Sequence, residues 1–202
     1  MVQEYFNDLS RQLGPSGLSW DNIRRAYAGR PYHNLDHLAE MIGYLHVTPP
    51  PHDPQMFAAA LLYHDIVYKP TRIDNEARSA RSVGKALQET PSVNAERIER
   101  CRRLVMATKR HLPSPTDDGD EALLIDLDLA VLARQPAAYD RYTDAVRQEF
   151  WMLPFFVFRK GRNKVITELL NRPQIFTTAY GREHFEAQAR ENLWRELRVL
   201  QA

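Results

Sequence analysis

The segment Leu61-Leu62-Tyr63-His64-Asp65-Ile66-Val67 sets an adjacent imidazole and carboxylate inside an otherwise apolar run. No other feature constrains the fold as strongly. Burying such a pair costs roughly several kcal/mol unless something satisfies both groups. A divalent metal would do so, and Tyr32-His33-Asn34-Leu35-Asp36-His37, some thirty residues upstream, offers further ligands to complete its coordination. The chain carries its own control. His52-Asp53 is also a His-Asp pair, but it follows Pro49-Pro50-Pro51 and precedes Pro54, so it reads as a solvated loop or helix start.

Composition narrows the classes. The 202 residues, 44% of them hydrophobic, suit one domain with a full core. A net charge of +1 argues against a nucleic-acid polymer or a membrane as partner, since either favours a strongly basic chain. The one cysteine, Cys101, excludes an internal disulfide and a thiolate metal site. Met1-Val2-Gln3-Glu4-Tyr5 lacks the basic start and apolar run of a signal peptide, and no stretch reaches the eighteen or so apolar residues of a membrane span. A soluble, cytoplasmic protein is expected.

Helical periodicity runs throughout, and β-branched alternation is nearly absent. Helices are expected over 2–13, 20–28 with Ser19 as N-cap, 35–46 with Asn34 as N-cap, and 53–68. More follow over 74–88, 94–111, 121–132 and 137–151, then a segment opening at Pro154 and an amphipathic helix over 180–200. The fold class is therefore all-α, a single domain over 1–202. The N-terminal helices (1–30) and the C-terminal helix (180–200) are expected to pack on its core.

Metal sites in helical bundles are built from side chains projecting inward from facing helices. His37, the pair His64-Asp65, and the aspartates Asp126 and Asp128 sit on three such segments. The last is Leu123-Leu124-Ile125-Asp126-Leu127-Asp128-Leu129-Ala130-Val131-Leu132, apolar on every other side. Residues two apart on a helix face roughly opposite ways, so only one of these aspartates can reach the same ion directly. An N/O donor set of this kind suits Mn, Fe, Ni, Zn or Mg.

The order His37, His64-Asp65, Asp128 resembles the H…HD…D signature of the HD-domain superfamily, all-helical metal-dependent phosphohydrolases. Tyr32-His33-Asn34-Leu35-Asp36-His37 is similar to the Y-H-N-x-x-H run of the cyclic-nucleotide phosphodiesterases. Asp74-Asn75-Glu76 with Ser79-Ala80, Thr108-Lys109-Arg110-His111 and Ala189-Arg190-Glu191-Asn192-Leu193 resemble a bacterial family described as predicted metal-dependent HD-superfamily phosphohydrolases. The resemblance implies an HD-type multi-helix bundle with His37, His64, Asp65 and Asp128 as metal ligands. It implies His33 as a general acid, a role that imidazole chemistry suits near neutral pH, or as a group outside the ligand set. His111 falls where dinuclear relatives place a further His, and Glu76 where they have an acid. Asn75, however, replaces a ligating His, so one tightly held ion is expected.

The implied activity is metal-assisted hydrolysis of a small phosphorylated metabolite or nucleotide, with Asp65 or Asp128 orienting the nucleophile. Phosphate needs positive charge, and Lys69, Arg72, Lys109, Arg110 and Arg147 are the candidates. Two alternatives share the scaffold: a degenerate module that senses metal or nucleotide, and a di-iron oxygenase, which the missing His at Asn75 disfavours. His46, His52 and His184 are read as non-functional. Trp151, Phe155, Phe156 and Phe158 are read as core packing, with a monomer or homodimer as the assembly.

Overall fold

The computed structural model describes residues 1–201. Every regular element among them is helical: α1 (Val2–Leu13), α2 (Trp20–Tyr27), α3 (Leu35–Leu45), α4 (Pro54–Tyr63), α5 (Asn75–Gln88), α6 (Ala95–Ala107), α7 (Asp120–Leu129), a 3-10 turn (Ala130–Ala133), α8 (Pro136–Glu149), α9 (Phe155–Leu170), α10 (Ala179–His184) and α11 (Glu186–Gln201). The all-α expectation holds. None of these helices is long and apolar enough to cross a membrane. The chain divides into two compact units, Met1–Leu127 and Asp128–Ala202, with the boundary inside α7.

In the first unit α4 is the central helix, and all of Met56–Tyr63 is buried. It packs against α1, α3, α5 and α6. Gly84 on α5 leaves room for the Arg102 guanidinium of α6, because a Cβ there would fall 2.0 Å from its Nε. The expected caps form. Ser19 Oγ accepts from the Asn22 N–H, and Asn34 Oδ1 accepts from the Asp36 and His37 N–H groups.

The pair His52-Asp53 is structural. Asp53 caps α4 by accepting from the Met56 N–H and holds the Arg97 guanidinium through both carboxylate oxygens, each at 2.7 Å. Asp120, itself buried, accepts from the His52 and Asp53 N–H groups and from Arg100. Burial is the largest single influence on the Asp53 pKa and would raise it, but the hydrogen bonds from Arg97 and the Met56 N–H and the charges of Arg97 and Arg100 together outweigh it and hold the carboxyl below its ordinary value of 3.8. A depressed folded-state pKa gives stability that is present above the unfolded pKa and lost as pH falls through the folded one. Asp53→Ala is therefore expected to cost about 1–3 kcal/mol at pH 7. That deficit against the native protein should narrow below about pH 4, as urea titrations across that range will show.

Three helix ends differ from expectation. α4 stops at Tyr63 rather than running to 68, because side chains take over its last backbone groups. His64 Nδ1 donates to the Leu61 carbonyl at 2.8 Å, and the Tyr27 hydroxyl donates to the Leu62 carbonyl while accepting from the Asp65 N–H, each at 3.2 Å. α6 ends at Ala107 rather than 111, with Thr108 Oγ1 bonding back to the Val105 carbonyl. Beyond it His111 adopts φ 48°. The C-terminal helix is broken at Phe185, where the Glu186 carboxylate turns to accept from the Ile175 and Phe176 N–H groups.

In the second unit α11 packs against α9 and the 3-10 turn. Asn192, fully buried, donates to the Leu132 and Arg134 carbonyls, which end that turn. Arg162 on α9 holds Glu196 on α11 bidentately, at 2.7 and 2.9 Å, and the Tyr139 hydroxyl donates to the same carboxylate. Phe158 is half-buried, but Trp151, Phe155 and Phe156 are exposed, so the reading of these aromatics as core fails for three of the four.

Candidate metal centre

His64 and Asp65 lie in the turn that closes α4, and His37 lies in the first turn of α3. One ligand atom from each of the three falls within 4.8 Å of the others, and all three residues are buried. Among the described residues this is the one such group of three or more His, Cys, Asp or Glu. His64 and Asp65 sit at the C-terminal, negative end of the α4 dipole, whereas His37 sits at the N-terminal, positive end of α3, so it is the donor atoms that suit a cation.

The hydrogen bonds set which atoms face the group's centre. A carbonyl only accepts, so His64 Nδ1 must carry a proton, and the neutral ring then presents a lone pair at Nε2. That atom lies 3.3 Å from Asp65 Oδ2. His37 Nδ1 is 3.2 Å from the Tyr32 hydroxyl, which leaves its Nε2 for a ligand role. The His37 and His64 rings meet edge to face with centroids 5.5 Å apart.

His33 stands beside this group, about one-fifth exposed, with Nε2 3.8 Å from Asp65 Oδ2. Its ring lies over Tyr68 at 4.1 Å between centroids and meets the Tyr32 ring edge-on at 4.7 Å. The imidazole is thus positioned by packing, with one edge toward solvent.

The residue that sequence reasoning missed is Arg30. Its guanidinium donates to the Asp65 carbonyl at 2.7 Å, and to the Ile66 and His33 carbonyls at 3.3 Å each. It also lies over the Tyr27 ring at 4.9 Å and the Tyr68 ring at 5.5 Å. One side chain therefore ties the His33 segment to the His-Asp turn. From the other side Asn75 donates to the Lys69 carbonyl and accepts from its N–H, and Ser79 does the same with Val67. Asn75 is a clamp on the loop after the His-Asp turn, which explains an amide where a ligating His was looked for. Arg30 left no periodic or motif signal; the nearest clue was Tyr27, whose hydroxyl needs a partner once buried.

Arg30→Lys keeps the charge but cannot reach three carbonyls from a planar fork. We expect it to weaken divalent-metal uptake about 10–100-fold while the far-UV circular dichroism stays native, as isothermal titration with Mn and Zn will measure.

The other sequence candidates are not among these three residues. Glu76, His111 and Asp126 are not in the buried group, although Asp126 is itself buried. Asp128 belongs to the second unit and is half-buried. Lys69, Lys109 and Arg110 are exposed. Arg72 is paired with Asp74, whose carboxyl drops to about 2 through hydrogen bonds from Arg78 and Arg72. Arg147 donates to the Phe150 and Leu153 carbonyls in its own unit. No family model, curated protein or solved structure matches the chain.

Proposed function

We propose that the chain is a metal-dependent phosphohydrolase whose ion is held by His37, His64 and Asp65. The observation that carries this reading is the 3.3 Å separation of His64 Nε2 and Asp65 Oδ2. It is longer than the roughly 2.7–2.9 Å of a charge-assisted hydrogen bond. Two ligands each about 2.0–2.2 Å from one ion fall about 3–4 Å apart. The donor set, two neutral imidazoles and a carboxylate, fits a borderline or hard dication.

A bound dication would supply Lewis-acid activation of water and of a phosphoryl oxygen. The rest falls to the protein. Asp65 orients the nucleophile by accepting its hydrogen bond. His33 holds a proton at Nε2 beside the reacting centre and gives it to the leaving oxygen. Tyr32 and Tyr68 fix the His33 ring, and Arg30 fixes the distance between the His33 segment and the Asp65 turn. Asn75 is consumed as a loop clamp, which supports one tightly held ion over a pair. The substrate class is a small phosphorylated metabolite or nucleotide.

Elemental analysis of purified protein tests the metal, and turnover of phosphomonoesters, phosphodiesters and nucleotides with that metal tests the reaction. Stoichiometric metal with hydrolysis supports the proposal. Failure to take up Mn, Fe, Ni, Zn or Mg after dialysis overturns it. Metal without turnover favours a sensing role.

A further inference from the structure

Trp151 is 76% exposed and Phe156 70%, with Phe155, Met152 and Val157 also open to solvent. They occupy one corner of the second unit, the turn leading into α9 and that helix's first turn. Aromatic side chains carry roughly 150–250 Å² each, so the three aromatics alone present about 300–500 Å². That equals the largest apolar patch of a typical monomer. Burial elsewhere in the unit does not claim them.

Charge indicates what covers this corner. From Phe150 to Thr167 the chain holds no acidic residue, but it holds Arg159, Lys160, Arg162 and Lys164. Arg162 is spent on Glu196. Arg159 and Lys160 remain on the exposed surface, and so does Lys164, whose solvent-exposed pairing with Glu168 at 3.8 Å is weak. Phe156, Lys160 and Lys164 recur at i, i+4 and i+8, so they form one outward row. The first turn of α9 has no acid and no side-chain cap, so its N-terminal dipole adds to the positive field. Trp194, Arg198 and Val199 are also exposed on α11, which packs beside α9. A second copy would bring a corner of like charge. Exposed Trp and Phe beside Lys and Arg match instead the boundary between anionic headgroups and acyl chains.

We propose that this corner docks on an anionic lipid surface, with Trp151, Phe155 and Phe156 entering the headgroup boundary and Arg159, Lys160 and Lys164 facing the phosphates. The attachment is peripheral, and it is independent of the hydrolase reading. The near-neutral net charge of the whole chain argued against a membrane partner. The positive field is local to one face, which a whole-chain sum hides.

The test uses the full chain with vesicles of phosphatidylcholine alone or mixed equally with phosphatidylglycerol, read by co-sedimentation and by quenching of tryptophan with brominated lipid. Expected is binding to the anionic vesicles that falls steeply with salt, with most of the quenching lost in Trp151→Phe. Lys160→Gln/Lys164→Gln should weaken partitioning about 25-fold, at about fivefold per cation. Phe155→Ser/Phe156→Ser should abolish it with the helical circular dichroism unchanged. No binding to anionic vesicles at low salt overturns the proposal. So does binding that survives the Phe substitutions, or a stable native dimer that Phe156→Glu converts to monomer.

Discussion

On the proposed hydrolase reading, Asp65→Ala is expected to leave the purified protein without metal and to lower phosphate-ester turnover by at least about 10²–10³-fold. Asp65 is buried at the end of α4, and its Oδ2 lies 3.3 Å from His64 Nε2. His33→Ala supplies the contrast. It removes the proton donor and no ligand, so metal content stays native while turnover falls about 10²–10⁴-fold. Elemental analysis and steady-state kinetics on the same preparations separate the two roles. An Asp65→Ala protein that keeps its metal, or a native protein equally metal-free, makes the pair a structural one and ends the hydrolase reading.

Glu196→Ala is expected to cost about 3–5 kcal/mol, the largest single-residue stability loss in the second unit. Arg162 and Glu196 are each only 11% exposed, so the variant leaves a guanidinium inside without its counter-charge. It also strips the acceptor from the Tyr139 hydroxyl, whose pKa burial pushes up so that it stays a donor. Arg162 also donates to the Tyr142 hydroxyl at 3.3 Å and lies over that ring, and neither contact neutralises it. Arg162→Met/Glu196→Leu removes both charges and should recover most of the loss. Urea unfolding followed by circular dichroism decides the matter. A double variant as unstable as the single one would mean that packing, not an uncompensated charge, sets the cost.

Much of the fold was legible because its punctuation is chemical. Ser19, Asn34 and Asp53 announce helix starts with side chains that cap them, and Gly14-Pro15 and the triple proline announce ends. The errors came where tertiary contacts override the local pattern. Nothing in Leu61–Val67 predicts that α4 stops at Tyr63, because the hydroxyl that takes its carbonyl belongs to Tyr27. The apolar pattern of Trp151–Phe158 reads as core, yet Trp151, Met152, Phe155, Phe156 and Val157 face out. At the candidate site, His37, His64 and Asp65 stand out as polar groups in apolar company, and the structure brings those three together. Arg30 and Asn75 could not be ranked, since their work is done on backbone carbonyls and N–H groups that a sequence does not place.

The burial of α4 on every side has a consequence for how the chain is made. Eight consecutive residues, Met56–Tyr63, have no solvent-facing stripe, so no short fragment can shelter them. Their cover includes α5 and α6, and α6 ends at Ala107, forty-four residues later. At about 5–20 residues per second, a ribosome exposes that apolar segment for roughly 2–9 s before its last partner is synthesised. The stretch that ends in the His-Asp pair is thus the part of the nascent chain most dependent on protection during its birth.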